Sequence, residues 1–191
     1  MPPLRIGISG THGTGKTTLA EALCAHLQGH VTAEEPYYLL EEEGYEFEFP
    51  PSLDDYRAML TRSVRSLSSP WPLPGVVFDR TPLDYLAYLA ATGADVERAM
   101  GIPAIESAVA TLDLLVLTVI TPETERALPT PELLRLRSAM NDALLEIVNG
   151  DPLDLCRDVP VLVLDGPLDD RLPTVLNVVR GCRSGSEGSG W

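Results

Sequence analysis

Basic residues are scarce in this chain of 191 residues, and lysine is the scarcest of them. The chain has 14 basic and 28 acidic residues, which gives a formal net charge of −14. A negative field of this size repels the phosphates of nucleic acids and of anionic membranes, so we expect neither as a partner. Of the 14 basic residues 13 are arginine, and Lys16 is the only lysine. A phosphate group that binds here must therefore be attracted by a local arrangement of donors.

Cysteines and long apolar segments are few as well. The three cysteines, Cys24, Cys156 and Cys182, are odd in number and lack the spacing of a metal site, which is typical of thiols in a reducing compartment. The longest apolar run, residues 114–120, is too short to span a bilayer. Residues 1–5 lead directly into an apolar segment without the features of a secretory signal. We therefore expect a cytoplasmic protein that has no contact with a membrane.

A phosphate-binding loop stands near the start of the chain. Residues 10–17 read Gly-Thr-His-Gly-Thr-Gly-Lys-Thr and match the pattern G-x-x-x-x-G-K-[ST]. Its glycines allow a tight turn in which successive backbone N–H groups point at an anion. Lys16 adds positive charge at the β- and γ-phosphates, and the Thr17 hydroxyl is a ligand for Mg²⁺. The predicted nucleotide-binding residues are Gly10, Thr11, His12, Gly13, Thr14, Gly15, Lys16, Thr17 and Thr18.

The segments on both sides of this loop are those that a phosphate-binding loop requires. Residues 4–9 read as a strand, and residues 16–28 read as a helix with Leu19, Leu23 and Leu27 on one face and Gly29 at its end. The order strand, loop, helix favours nucleotide binding over a glycine-rich turn that binds nothing. His12 occupies a variable position of the pattern, so we assign it no catalytic role.

The rest of the chain alternates short apolar strands with helical segments. Strands are predicted at residues 4–9, 30–35, 76–78, 114–120 and 161–164, and helices at 16–28, 52–67, 81–91, 94–111 with a break near Gly101 and Pro103, 130–148 and 173–180. Residues 37–51 read as mostly irregular. This alternation predicts an α/β protein: a three-layer P-loop NTPase fold with a five-stranded parallel sheet, helices on both faces and a short lid. Residues 1–180 form one domain, and residues 181–191, rich in Gly and Ser, form a disordered tail.

Polar residues follow the predicted strands, where ligands of parallel sheets bind. Glu34 and Glu35 follow the second strand, and Asp79 with Arg80 follows the third. Asp79 is suited to hold Mg²⁺ opposite the loop hydroxyl. Either glutamate is suited to accept a proton, but adjacent strand residues face opposite ways, so only one points at the site. Glu35 is our choice because it precedes Pro36, and Glu34 stays the alternative.

Together, the loop, Glu35-Pro36 and Asp79-Arg80 resemble the P-loop nucleoside and nucleotide kinases, the superfamily of deoxynucleoside and thymidylate kinases. The resemblance covers roughly the first 130 residues. It implies that Glu35 is the base that accepts the hydroxyl proton, that Asp79 is a partner of Mg²⁺ and that Arg80 lies on the substrate side. It also implies a lid over the nucleotide whose arginine is Arg126, with Arg135 and Arg137 as alternatives or as surface residues.

Several other side chains allow more than one interpretation. Asp84 either faces the substrate or caps the helix begun by Thr81 and Pro82, and we favour the capping role because it already explains the carboxylate. The aromatic residues near the predicted site either stack on a base or belong to the core; they are Tyr37, Tyr38, Tyr45, Phe47, Phe49, Tyr85 and Tyr88.

The sequence therefore predicts a kinase that uses ATP and Mg²⁺ and transfers the γ-phosphoryl group to a hydroxyl of a small-molecule acceptor, a nucleoside or a nucleoside-like metabolite. One alternative is a nucleoside monophosphate kinase, against which the acidic residues 41–48 argue. The other is a regulatory module that binds ATP or GTP, against which the lack of a partner domain or coiled coil argues. The identity of the acceptor, the choice of ATP or GTP and the oligomeric state, including a homodimer, stay open.

Overall fold

A five-stranded parallel sheet forms the centre of the protein. The computed structural model describes residues 4–70, 75–96, 101–126, 134–150 and 153–185. The strands are β1 (Arg5–Ser9), β2 (His30–Ala33), β3 (Gly75–Asp79), β4 (Leu114–Thr118) and β5 (Val161–Leu164). They pair in the order β2-β3-β1-β4-β5, and every pair is parallel. The predicted five-stranded parallel sheet is therefore confirmed.

Helices cover both faces of the sheet. In chain order they are α1 (Lys16–His26), α2 (Pro36–Glu42), α3 (Leu53–Ser68), α4 (Pro82–Ala91), α5 (Ile102–Val109), α6 (Pro122–Arg126), α7 (Leu134–Asn149) and α8 (Leu168–Gly185). One core cluster joins α1 and α8 to the sheet, and a larger one joins α3, α4, α5 and α7 to the opposite face. Within the described residues, no helix has the length and apolarity needed to cross a membrane.

The strands divide their side chains between these two cores because successive residues of a strand point to opposite faces. In β3, Val76 and Phe78 belong to the larger cluster, whereas Val77 belongs to the cluster beneath α1. The same alternation places Leu115 and Val116 of β4 on opposite faces. Both faces of the central strands are thus apolar, as the continuous hydrophobic runs predict.

Two helices begin at the capping boxes that the sequence predicts. Ser52 and Asp55 exchange hydrogen bonds between side chain and backbone at the start of α3, and Thr81 and Asp84 do so at the start of α4. These reciprocal bonds satisfy N–H groups that a helix leaves free at its first turn. The cap of α4 fixes the direction in which the chain leaves β3, and the candidate site lies at that point.

Three details in the first two thirds of the chain were not predicted. Residues 37–51 are mostly irregular, as predicted, because residues 43–51 form no helix or strand, but α2 occupies the start of that segment. Its first residue, Pro36, has the fixed φ that suits a first helical turn, and Leu40 packs into the core. The strand predicted to residue 120 ends at Thr118, and α6 follows where no helix was predicted. The predicted helix over 94–111 is reduced to α5, since residues 94–96 are not helical and 97–100 lie outside the described residues.

The helices near the C-terminus also differ from the predictions. The predicted start of α7 near Thr130, and most of the predicted lid, lie outside the described residues. Helix α8 begins five residues before Pro173 and continues through Gly185, past the predicted end at Arg180. A proline is typical of the first turn, which is why the sequence places the helix start there. The remainder of the predicted tail, residues 186–191, lies outside the described residues.

Candidate functional site

The loop between β1 and α1 lies against the end of β4 and depends on its glycines. A Cβ atom at Gly10 would lie 2.2 Å from Oγ1 and 2.4 Å from the carbonyl oxygen of Thr118, so no other residue fits there. Gly15 has a φ of 81°, in the left-handed region, and directly precedes α1. The backbone of residues 10–15 therefore has the close approach and the turn that a phosphate-binding loop needs.

Hydrogen bonds from two neighbouring elements brace the loop. The Gly10 N–H donates to Oδ1 of Asp84 at 2.9 Å, and Oδ2 of the same carboxylate accepts from the Thr81 N–H at 2.8 Å. Asp84 is fully buried. The Thr14 hydroxyl lies 2.8 Å from the Thr118 hydroxyl and donates to the carbonyl of Thr11 at 2.8 Å. The predicted capping role of Asp84 is confirmed, and the same carboxylate also ties the cap of α4 to the loop.

Two buried arginines hold carbonyl groups of the loop. Arg137 donates from Nε to the His12 carbonyl at 3.0 Å and from Nη2 to the Thr124 carbonyl at 3.3 Å. Arg171 donates from Nη1 to the Thr14 carbonyl at 2.6 Å. Burial lowers the pKa of both guanidinium groups from a starting value so high that they stay charged. They therefore add positive charge behind the loop while engaging its acceptor groups.

Lys16 is buried at the first turn of α1. Its Nζ donates to the Thr11 carbonyl at 2.8 Å, and only 4% of the residue is exposed. Burial and then the charge of Arg80 lower the pKa of Lys16 to about 7, against the opposing effect of Asp84, Asp79 and Glu35. A phosphate anion in the loop would raise that pKa again, because an opposite charge favours the ammonium form. Among the other loop residues, Thr11 and Thr14 are buried, whereas Gly13, Thr17 and Thr18 are exposed.

Asp79 and Thr17 form the pair suited to a divalent ion. Asp79 ends β3, is 3% exposed, and forms a side-chain hydrogen bond with Thr17. Burial raises the pKa of this carboxyl, and the Thr17 bond opposes the rise. Its Oδ1 is buried and has no hydrogen-bond partner in the part of the chain that the structure describes. A buried carboxylate oxygen without a partner fits a cation, so the residues present fit Mg²⁺.

The same part of the chain holds no group of three or more His, Cys, Asp or Glu side chains that would bind a metal by itself. Mg²⁺ commonly binds through one or two protein ligands together with the oxygens of a bound nucleotide. The Thr17 and Asp79 pair agrees with that pattern. It supplies a hydroxyl and a carboxylate and leaves the remaining positions to phosphate and water.

Glu35 and Arg80 form an ion pair next to the loop. Arg80 Nε donates to Glu35 Oε2 at 2.8 Å, and Nη1 of the arginine lies 3.7 Å from Asp84 Oδ1. Burial lowers the pKa of Arg80, but Tyr88, Tyr85, Asp84 and Glu35 together raise it well above its ordinary value. Arg80 has a φ of 77°, so its backbone takes a left-handed turn between β3 and α4. Glu34, in contrast, is exposed and lines a separate groove with Leu39 and Arg62.

A cavity of about 290 Å³ opens beside this ion pair and is lined largely by tyrosines. We call it the tyrosine cavity; its lining residues are Glu35, Tyr37, Tyr38, Pro51, Met59, Arg80, Tyr85 and Tyr88. Tyr88 stacks on Tyr56 with ring centroids 4.9 Å apart, and its hydroxyl lies 3.4 Å from Nδ1 of the loop residue His12. The tyrosine cavity and the phosphate-binding loop are therefore neighbours.

The other predicted residues lie around this centre in different ways. Burial, followed by the charges of Arg137, Arg80 and Lys16, lowers the pKa of His12 to about 4, so its ring is neutral at pH 7. Arg126 and Arg135 are exposed, at the end of α6 and the start of α7. The lid role of Arg126 stays a prediction. Arg137, the alternative lid residue, is 1% exposed and braces the loop instead.

Sequence reasoning missed Arg171 and the convergence of the tyrosines. Arg171 lies 157 residues from its partner Thr14, and the position of an arginine in a helix after the last strand was the sole local signal. Tyr45 and Phe47, two of the aromatic candidates, lie on a second cavity with Glu41 and Glu46. Phe49 is 97% exposed. The sequence shows which aromatic residues exist, but the tertiary fold selects the ones that meet.

Comparisons with known proteins agree with this architecture. A family model described as AAA domain matches residues 5–171, and no curated protein matches the chain in sequence. Deoxyadenosine kinase from M. mycoides, solved with the products dCMP and a flexible dCDP, is 18% identical with a TM-score of 0.64, and the match covers 93% of this chain and 100% of that chain.

Two other solved structures have similar folds. The NadR protein in complex with NR is 20% identical with a TM-score of 0.64, over 94% of this chain and 51% of that chain. Thymidylate kinase from Candida albicans is 14% identical with a TM-score of 0.61, over 95% and 93%. At these identities the likeness shows the fold, and it confirms both the predicted resemblance and the predicted fold class, a P-loop kinase-like α/β fold.

Proposed function

The chain belongs to the AAA domain family, and we propose that it is a kinase that transfers the γ-phosphoryl group of ATP to a hydroxyl of a nucleoside or nucleoside-like metabolite. The observation that carries this proposal is the Glu35 carboxylate, held by Arg80 at 2.8 Å, on the wall of the tyrosine cavity beside the phosphate-binding loop. A site that only binds a nucleotide, and transfers no phosphoryl group, does not need a carboxylate and the tyrosine cavity beside the loop.

The loop and its surroundings supply the donor half of the reaction. Backbone N–H groups of residues 11–15 and the Lys16 ammonium would bind the phosphates, with the guanidinium groups of Arg137 and Arg171 behind them. Mg²⁺, held by Thr17 and Asp79, would neutralise charge on the β- and γ-phosphates when bound. Because phosphoryl transfer needs little covalent chemistry from the protein, holding and neutralising the phosphates is the main requirement.

Glu35 and Arg80 supply the acceptor half. A hydroxyl in the tyrosine cavity that faces Glu35 would pass its proton to Oε1 or Oε2 as the bond to phosphorus forms. Arg80 fixes the position of the carboxylate by its Nε hydrogen bond to Oε2. The rings of Tyr37, Tyr38 and Tyr88 give the flat apolar walls on which a base stacks.

The charges of the cavity favour an uncharged acceptor over a nucleoside monophosphate. Glu35 and Arg80 are the charged side chains among the residues that line it, and they neutralise each other. A phosphate on the acceptor would need a positively charged group of its own. The names of two structural neighbours, deoxyadenosine kinase and thymidylate kinase, support an acceptor of the nucleoside or nucleotide class.

The proposal is tested by ADP release with a panel of nucleosides, nucleoside monophosphates, sugars and amino alcohols. We expect turnover stimulated by a nucleoside or a related compound. Glu35→Gln should reduce kcat by about a hundredfold or more, the usual contribution of a general base, and leave ATP binding intact. Glu34→Gln is the matched control, because that side chain is exposed on another groove; its turnover should equal that of the wild type.

Three results would contradict the proposal or one part of it. ADP release that no member of the panel stimulates favours the alternative of a regulatory nucleotide-binding module. An equal decrease in kcat in Glu35→Gln and Glu34→Gln would show that Glu35 has no specific role in the reaction. Turnover confined to nucleoside monophosphates would retain a kinase and overturn the choice of an uncharged acceptor.

A further inference from the structure

Tyr85 has a buried hydroxyl for which the protein supplies no partner. The residue lies in α4, is 2% exposed, and lines the tyrosine cavity. Within the described ranges, its hydroxyl makes no hydrogen bond. Buried hydroxyl groups are nearly always paired, because leaving water without a replacement bond is unfavourable. Because Tyr85 lines the tyrosine cavity, a molecule that enters the cavity is an available source of that partner.

Two other tyrosines that line the cavity are already paired. The Tyr37 hydroxyl donates to Glu41 Oε1 at 3.2 Å, and the Tyr88 hydroxyl contacts Nδ1 of His12 at 3.4 Å. Tyr85 lies deeper than Tyr37 and Tyr38, which are half-buried and exposed respectively. Among the described residues that line the cavity, the buried side-chain atoms without a hydrogen bond are the Tyr85 hydroxyl and Nη1 of Arg80, and the second of these lies 3.7 Å from the Asp84 carboxylate.

The environment keeps this hydroxyl protonated. Burial raises the pKa of Tyr85 well above its ordinary value, and the nearby carboxylates of Asp84 and Glu35 raise it further, although Arg80 opposes them. A neutral phenol donates one hydrogen bond and accepts others. It therefore discriminates by the position of a polar atom on the ligand and not by the ligand's charge.

We propose that Tyr85 is a specificity-determining residue, whose hydroxyl pairs with a polar ring atom of the acceptor while the acceptor's own hydroxyl faces Glu35. The inference rests on the proposed function and deepens it. It assigns the acceptor to hydroxyl compounds that carry a planar heterocycle with a hydrogen-bonding atom on its edge. A heterocycle that has a C–H group at this position could not form the hydrogen bond with Tyr85, so the hydroxyl would stay unpaired.

Tyr85→Phe tests this by removing one oxygen atom. We expect kcat/KM for the best nucleoside of the panel to fall about three- to tenfold, the range for one hydrogen bond between uncharged groups. The KM for ATP should stay unchanged. The melting temperature without ligand should stay equal or rise, because the unpaired hydroxyl is gone.

A second comparison uses that nucleoside and its deaza analogues, in which a ring nitrogen is replaced by C–H. For the analogue that lacks the paired atom, the wild type should lose activity, whereas Tyr85→Phe should treat it and the parent nucleoside alike. This is a double-mutant cycle between one protein atom and one ligand atom. Tyr45→Phe is the control, since that hydroxyl donates to Asp55 at 3.0 Å outside the tyrosine cavity; it should lower the melting temperature and leave the acceptor KM unchanged.

Each other outcome counts against the inference. Unchanged kcat/KM in an active Tyr85→Phe variant means that water satisfies the hydroxyl, and it leaves the proposed function standing. A lower melting temperature, or a parallel rise in the KM for ATP, would assign Tyr85 a structural role. Wild-type protein that no nucleoside stimulates would overturn the proposed function, and this inference with it.

Discussion

Replacing Asp84 with asparagine should weaken two parts of the protein by a single change. The carboxylate accepts charge-assisted hydrogen bonds from the N–H groups of Gly10 at 2.9 Å and of Thr81 at 2.8 Å, and it is fully buried. Such bonds contribute about 1.5–3 kcal/mol each. Asparagine has one acceptor oxygen, so Asp84→Asn retains one bond in a neutral form and turns an NH₂ group toward the other N–H.

The free energy of unfolding should fall by about 2–4 kcal/mol, the sum of one lost bond and one weakened bond with its cap. For a chain of this length that corresponds to a decrease in melting temperature of roughly 5–15 °C. If the remaining oxygen stays with the cap at Thr81, the N–H of Gly10 is unpaired and the loop loses its brace. We then expect ATP to bind about five- to tenfold more weakly, equivalent to roughly 1 kcal/mol.

Asp55→Asn separates the two effects. Asp55 caps α3 with the same reciprocal geometry, and it also accepts from Tyr45 and from the Glu48 N–H, but none of these partners belongs to the loop. Urea denaturation should show a comparable loss of stability in both variants, and isothermal titration should show weaker ATP binding in Asp84→Asn alone. The reasoning is refuted if Asp84→Asn binds ATP as tightly as the wild type, or if both variants weaken it equally.

Two further predictions follow from the carboxylates. Asp79→Asn should bind ATP in EDTA about as tightly as the wild type, but added Mg²⁺ should no longer strengthen binding; an unchanged Mg²⁺ effect by calorimetry would remove Asp79 from the metal site. Burial raises the pKa of Asp55, but its bonds from Ser52, Tyr45 and Glu48 leave that pKa below the ordinary value of 3.8. The folded state therefore binds this proton more weakly than the unfolded state, so the stabilisation is present above about pH 4 and is lost as the pH falls through the folded pKa. The difference in unfolding free energy between wild type and Asp55→Asn should shrink on acidification below that point, and a constant difference would contradict the assignment.

The parts of the fold that the sequence predicts are those with local causes. The phosphate-binding loop is recognisable because the fixed positions of its pattern, Gly10, Gly15, Lys16 and Thr17, each have a steric or chemical role and lie within eight residues. Ser52 and Thr81 mark helix starts because a capping box is complete within four residues. Helix α2 has no capping box: Pro36 at its first turn is its local signal, and it forms where Leu40 packs into the core. Tertiary burial outweighs weak local preference there.

In the candidate site, too, the residues with local sequence signals differ from those that meet only in the folded protein. Lys16, Thr17 and Asp79 were predictable because a loop and a strand end carry them. Arg137 was considered as an alternative lid residue or as a surface arginine, and its contact with His12 spans 125 positions, which no local pattern reports. The tyrosine cavity joins residues of α2, α3 and α4 with the loop before α3, so its shape depends on the packing of three helices. Contacts between residues far apart in the chain, such as these, could not be predicted from local sequence patterns.

The arginines behind the loop also explain how a chain with a net charge of −14 can attract a phosphate. At physiological ionic strength, exposed charges are screened beyond about 8 Å, whereas buried charges are screened much less. Lys16, Arg137 and Arg171 are each at most 4% exposed. The positive charge of these side chains therefore acts on the loop at short range with little screening. The negative charges of the acidic surface are exposed, so dissolved salt screens their repulsion of a phosphate. A single lysine is sufficient because guanidinium groups, bonded to the His12 and Thr14 carbonyls, hold the loop and supply the rest of the positive charge.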